Sequence, residues 1–108
     1  MEEETRIRVM KCIDKGLSRM GGIKNVVYWH FENSFGLSRE HIPEKIEEFV
    51  GLLKGIYGSG IEIVSFNIVK ELEMEFAMKN LPEELDKALK VIEEATLNSR
   101  TGKAKGRP

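Results

Sequence analysis

This sequence is short of the residues that staple a chain or carry it through a membrane. One cysteine, Cys12, among 108 residues excludes an intrachain disulfide and a zinc site built from paired cysteines. Three prolines leave long stretches in which nothing interrupts a helix. Unbroken apolar runs are equally scarce. The longest is Val26-Val27-Tyr28-Trp29, against the roughly 20 apolar residues that a bilayer span needs. The opening Met1-Glu2-Glu3-Glu4 reverses the positively charged start of a signal peptide. The expectation is a soluble, cytoplasmic chain in a reducing setting, with no membrane contact.

What is present is enough for a core. At 41% hydrophobic and 32% charged residues, the chain is too apolar for wholesale disorder, and its length fits one domain. The charge is unevenly spread. Arg100, Lys103, Lys105 and Arg107 put four positive charges and no acid into residues 99–108, which leaves 13 basic and 18 acidic side chains, a net of −5, on residues 1–98. The expected organisation is therefore a helical domain over 1–98 and a disordered basic tail over 99–108. The acidic body argues against a broad nucleic-acid face.

Periodicity predicts five helices, an all-α, compact five-helix bundle with a flexible basic C-terminal tail. In Glu2–Met20, Ile7, Met10, Ile13, Leu17 and Met20 recur at helical steps, and Gly21-Gly22 supplies the stop. Ile23 to Phe35 follows, closed by Gly36. Ser38 is placed to cap a short turn, and Pro43 is tolerated at the start of a third helix. That helix buries Ile46, Phe49, Val50, Leu53, Ile56 and Tyr57 and ends at Gly58-Ser59-Gly60. The fourth, Ile61 to Lys79, carries two stripes. One is Ile61, Val64, Ile68, Leu72 and Phe76; the other, on the opposite side, is Ile63, Phe66, Met74, Ala77 and Met78, broken by Lys70. The last helix runs from Pro82 to about Leu97 with Leu85, Ala88, Leu89, Ile92 and Ala95 inward. Residues 25–31 and 61–68 also suit strands, but two strands make a marginal sheet and no third is evident.

The chemistry-bearing residues point away from catalysis. His30 lies among aromatics with no thiolate or second histidine in sequence reach, and His41 sits in a turn; both read as structural. Cys12 has no recognisable base and reads as a small packing residue. Gly58-Ser59-Gly60 before a helix is a weak phosphate-loop candidate, lacking the Gly-Lys-Ser/Thr element. No catalytic residue, metal ligand or cofactor site emerges. The end Lys105-Gly106-Arg107-Pro108 resembles the core of the AT-hook motif, with lysine in place of the first arginine. That implies at most weak, salt-sensitive nucleic-acid binding through Arg100, Lys103, Lys105 and Arg107.

One wider resemblance covers about half of the chain. The landmarks are Lys24-Asn25-Val26-Val27-Tyr28-Trp29-His30-Phe31-Glu32, Phe35-Gly36-Leu37, Ile42-Pro43-Glu44, Phe49, Leu53-Lys54-Gly55-Ile56-Tyr57-Gly58 and Ile68-Val69-Lys70-Glu71-Leu72. Over Leu17–Leu72 the chain resembles the archaeal Nitrosopumilus output domain family of the fifth class. The resemblance implies an output or interaction module of archaeal signalling and regulatory proteins, with no reaction attached.

The function expected is thus a non-enzymatic protein-interaction module that associates with a protein partner or with itself as a dimer. The second stripe of the fourth helix motivates it, with Ile63, Phe66, Met74 and Met78 as contact residues. The alternative is a small nucleic-acid-associated protein acting through its tail. A ligand pocket lined by Tyr28, Trp29, His30 and Tyr57 is a third, weaker possibility, and no known small molecule is implied.

Overall fold

A computed structural model describes the backbone of residues 1–105 and the side chains of residues 1–98. In chain order it contains α1 (Glu3–Ser18), α2 (Lys24–Phe35), a 3-10 turn (Arg39–Lys45), α3 (Ile46–Tyr57), a second 3-10 turn (Gly58–Gly60), α4 (Ile61–Phe76) and α5 (Leu85–Lys105). The chain is all-helical, and no strand occurs among the described residues, so the strands considered for 25–31 and 61–68 do not form. Counted as unbroken helical runs there are four, where five were expected, because Arg39–Phe76 is continuous through its 3-10 turns. The backbone of α5 runs on to Lys105, so the disordered tail expected over residues 99–108 is not shown; the side chains of that segment lie outside the described part.

The boundaries follow local chemistry. Gly36 closes α2 in the left-handed region at φ 64°, its N–H on the Glu32 carbonyl, as its position in sequence predicts. Pro43 does not open α3; it lies inside the first 3-10 turn, and α3 begins only at Ile46. Ser38 precedes that turn but gives no cap bond to the backbone; its hydroxyl instead donates to Glu40 Oε2 at 3.1 Å. The last helix begins at Leu85, not Pro82: the Leu81 N–H is taken by Glu73 Oε2 at 3.0 Å, and the first turn closes from Ala88 to the Glu84 carbonyl.

Arg39–Phe76 includes an 18-residue window of mean hydropathy 1.3, long and apolar enough by composition to cross a membrane. Within that run Gly58, at φ 59° and ψ −130°, departs from helical dihedrals and separates α3 from α4. The 12 residues of α3 and the 16 of α4 are about 18 and 24 Å long at 1.5 Å per residue, each short of the ~30 Å hydrocarbon layer.

The core is organised on the antiparallel pair α1–α4. Arg8 faces Glu75, Cys12 faces Glu71 and Met20 faces Asn67, so partner numbers fall as α1 advances. At the middle of the pair Gly16 meets Ile68: a Cβ on Gly16 would lie 2.5 Å from Ile68 Cγ1 and 2.9 Å from its Cα. Only glycine allows this approach. Around the pair close Val9, Ile13 and Leu17 from α1, Val27, Tyr28 and Phe31 from α2, Phe49 and Leu53 from α3, and Leu85, Ala88, Leu89 and Ile92 from α5. Phe31 and Phe49 meet edge to face, ring centroids 6.1 Å apart, which joins α2 to α3.

The buried face of α1 is rotated from the one expected. Ile7 is 59% exposed and Met10 and Met20 only half-buried, whereas Thr5, Val9, Cys12 and Gly16 join Ile13 and Leu17 inside. The small residues Cys12 and Gly16 set the phase because close backbone approach to α4 buries more of both helices than a larger side chain would. Polar contacts rim the pair. Arg8 bonds Glu75 Oε2 at 2.8 Å and the Glu75 carbonyl at 2.7 Å, with its guanidinium over Phe76, and Arg19 pairs with the buried Glu71. Arg8 and Lys11 beside it hold the Glu75 carboxyl below the usual range.

Candidate functional site

Helix α4 is amphipathic twice over. Its inner face buries Val64, Ser65, Ile68, Val69, Glu71 and Leu72. On the opposite side Ile63, Phe66 and Met74 stand 60%, 56% and 66% exposed. These residues follow steps of three, four and four through Lys70, so they share one stripe. Lys70 lies between them, its ammonium 5.5 Å from the Phe66 ring centroid and 4.0 Å from Glu73 Oε1. A cation over an aromatic face keeps its hydration while its methylene stem extends the apolar surface. The lysine that breaks the stripe in sequence thus belongs to it in space.

Of the four expected contact residues, three are brought together and one is not. Met78 lies beyond the end of α4, half-buried against the core. Ala77 adopts the left-handed conformation at φ 53°, and Met78 N–H bonds the Glu73 carbonyl at 3.0 Å. This C-terminal reversal turns Met78 off the stripe. Helical periodicity alone misses it because nothing about alanine announces a left-handed residue.

The other candidates are dispersed. Tyr28 is buried, with its hydroxyl on Asp14 Oδ1 at 3.3 Å, and burial beside Asp14 pushes the phenol well above its ordinary value. Trp29 is 58% exposed on the same helix. Tyr28, Trp29, His30 and Tyr57, weighed above as the weaker pocket candidate, line neither the groove between α3, α4 and α5 nor the one between α5 and the first 3-10 turn. His30 is half-buried with its ring 5.1 Å from that of Trp29, and His41 pairs with Glu44 at 3.4 Å. Cys12 is buried, its thiol donating to the Glu71 carbonyl at 3.5 Å. Burial, with Glu75 and Glu71 nearby, pushes that thiol from 9.0 up to about 12, the opposite of an activated nucleophile. Among the described residues no group of three His, Cys, Asp or Glu side chains is placed to hold a metal ion. Gly58-Ser59-Gly60 is a 3-10 turn joining two helices. Arg100, Lys103, Lys105 and Arg107 lie outside the described side chains.

One feature had no sequence signal. A groove of about 650 Å³ lies between α3, α4 and the start of α5, floored by Val50, Ile61 and Leu85 and rimmed by Glu47, Glu62, Glu83 and Glu84 with Lys54 and Lys87. It is assembled from three separate segments, so no local pattern announces it. Lys87 is already paired to Glu84 at 2.6 Å.

No family model, no curated protein and no solved structure matches the chain.

Proposed function

We propose that this chain is a non-catalytic interaction module that self-associates through the outer face of α4, serving a regulatory output role in the cytoplasm. The observation that carries this reading is the stripe of Ile63, Phe66 and Met74, held in water by a helix whose other side is fully committed to the core. Three large apolar side chains in register on one rigid helix lose little freedom on docking. A surface made of one short helix supplies an area at the low end of specific interfaces, below about 1,200 Å² in total, the class of weak and transient pairings. The output role is the one that the resemblance noted over Leu17–Leu72 implies.

The test is sedimentation equilibrium across the micromolar to millimolar range, on the full chain and on Phe66→Ser. Concentration-dependent dimerisation of the first, weakened at least tenfold in the second with an unchanged helical circular-dichroism spectrum, is the expected result. A monomer throughout overturns the proposal. The second reading, a tail that binds duplex DNA, is favoured by four basic side chains within residues 99–108. It requires that deleting those residues abolish binding at low salt, with a slope reflecting about four phosphate contacts at most.

A further inference from the structure

We infer that the groove between α3, α4 and α5 receives the basic segment, residues 99–108, of a second copy of this chain. The inference does not rest on the α4 stripe, since Ile63, Phe66 and Met74 do not line the groove. The rim is more acidic than its own bases offset. Glu84 is paired to Lys87, and Glu84 and Asp86 hold that ammonium above its ordinary value. Glu47, Glu62, Glu83 and Asp86 have no ion pair among the described residues, and Lys54 is the one further base on the rim, which leaves a net of −3. Glu47, Glu62 and Asp86 stand in the first turns of α3, α4 and α5, where the helix dipole keeps a carboxylate ionised. A second observation points to a ligand. Ser65, 8% exposed, lines the same groove, and its hydroxyl has no hydrogen-bond partner among the described residues. A helical serine can satisfy itself on the carbonyl four residues back, as Ser18 does on Asp14. Ser65 does not, so its hydroxyl is available to an incoming chain.

Charge and size select the occupant. Residues 99–108 carry Arg100, Lys103, Lys105 and Arg107 and no acid, with only Thr101, Gly102, Ala104 and Gly106 between the basic positions. Side chains that small let a main chain approach Ser65. The groove of about 650 Å³ lies within the roughly 300–1,000 Å³ of specific binding sites. An anion meets the wrong sign there, and a purely apolar ligand would bury carboxylates without partners. The segment cannot come from the same copy. α5 borders the groove at Leu85 and runs 21 residues to Lys105, about 31 Å at 1.5 Å per residue. Residues 106–108 reach back no more than about 11 Å. A second copy meets no such limit, and its segment in this groove makes a heterologous, head-to-tail contact. Opposite charges make that contact fast to form and sensitive to salt.

Fluorescence polarisation of a labelled peptide of residues 99–108 tests the groove. The receptor is the full-length chain carrying R100Q, K103Q, K105Q and R107Q, which leaves its own tail unable to compete. Saturable binding at low salt is expected, weakened about tenfold between roughly 20 and 150 mM salt and about fivefold by adding Glu62→Gln with Asp86→Asn. Gly51→Leu blocks the groove without changing its charge. Gly51 lines the groove, and a Cβ there would meet nothing within 4 Å, so the new side chain enters open space and leaves the core alone. Loss of peptide binding with an unchanged circular-dichroism spectrum is the expected result. No binding at low salt overturns the inference. Binding that survives Gly51→Leu shows attraction to acidic surface in general and overturns it as well. So does a peptide that binds duplex DNA and not the chain, which gives the segment to nucleic acid. A second arm tests the second copy, in a Phe66→Ser background that removes the α4 stripe. The four-Gln chain, mixed with a chain carrying Gly51→Leu, is expected to form a one-to-one complex in sedimentation velocity, while each alone stays monomeric. Failure of the mixture to associate where the peptide binds overturns the head-to-tail contact.

Discussion

The two sides of α4 have similar amino-acid types and opposite fates. The inner face is bound to α1 so closely that Gly16 has no room for a methyl group against Ile68. The outer face carries an isoleucine, a phenylalanine and a methionine with nothing described over them. Hydrophobicity does not distinguish the two; the presence of a small-residue partner does. A helix sinks its side chains where a neighbour's backbone can come near, and α1 offers Cys12 and Gly16 for that purpose on one side only. What remains apolar on the far side stands more than half exposed in the monomer, which is why the self-association proposed above is placed there.

Substitutions at matched positions sharpen the contrast. Leu72→Ala on the inner face should cost about 2–5 kcal/mol, the usual range for emptying a fully buried site. Phe66→Ala on the outer face should stay within about 0.5 kcal/mol. Urea melts of both, at a concentration low enough to keep the chain monomeric, decide the matter; similar losses in the two would erase the distinction between the faces. The next largest effect is Gly16→Ala. Alanine gains up to about 1 kcal/mol in helix propensity, yet its methyl meets the Ile68 backbone, and overpacking of that kind costs about 1–3 kcal/mol. A net loss is expected, and it should shrink in an Ile68→Ala background if the strain is local to that contact.

Alkaline titration addresses the same inner face. The Cys12 thiol is raised in the folded state to about 12 from 9.0, so its contribution is complete below about pH 9 and is lost as pH rises from 9 towards 12. The expected slope reaches about 1.4 kcal/mol per pH unit in that window, read as the difference between the chain and its Cys12→Ala variant. Thiol reagents at neutral pH should label Cys12 only as fast as the chain opens. The smallest effect is at the end of α4. Ala77→Gly relieves a left-handed alanine and should stabilise by about 0.5–1 kcal/mol without altering dimerisation, since the stripe at Ile63, Phe66 and Met74 is untouched.

Much of this was legible in the sequence where one helix turn decides the outcome. The stop at Gly36, the inward Leu85, Ala88, Leu89 and Ile92, and the two-sided character of α4 all follow from spacing. The phase of α1 did not, because a search for large apolar residues at helical steps selects Ile7, Met10 and Met20 over Cys12 and Gly16. The buried face there is chosen by how near α4 can come, a property of two segments some 60 residues apart. For the same reason the loss of Met78 from the stripe needed the conformation of Ala77, and the groove between α3, α4 and α5 needed three elements at once.

The α1–α4 pair also governs when the chain can become ordered during its own synthesis. The first helix is complete at Ser18, but the helix it packs on ends at Phe76. At a ribosomal rate of about 5–20 residues per second, Val9, Ile13 and Leu17 wait roughly 3–12 s for a surface to cover them. Nascent chains halted short of Phe76 would expose that greasy flank to holding factors and proteases, so their lifetime in the cell should rise abruptly once translation passes the end of α4.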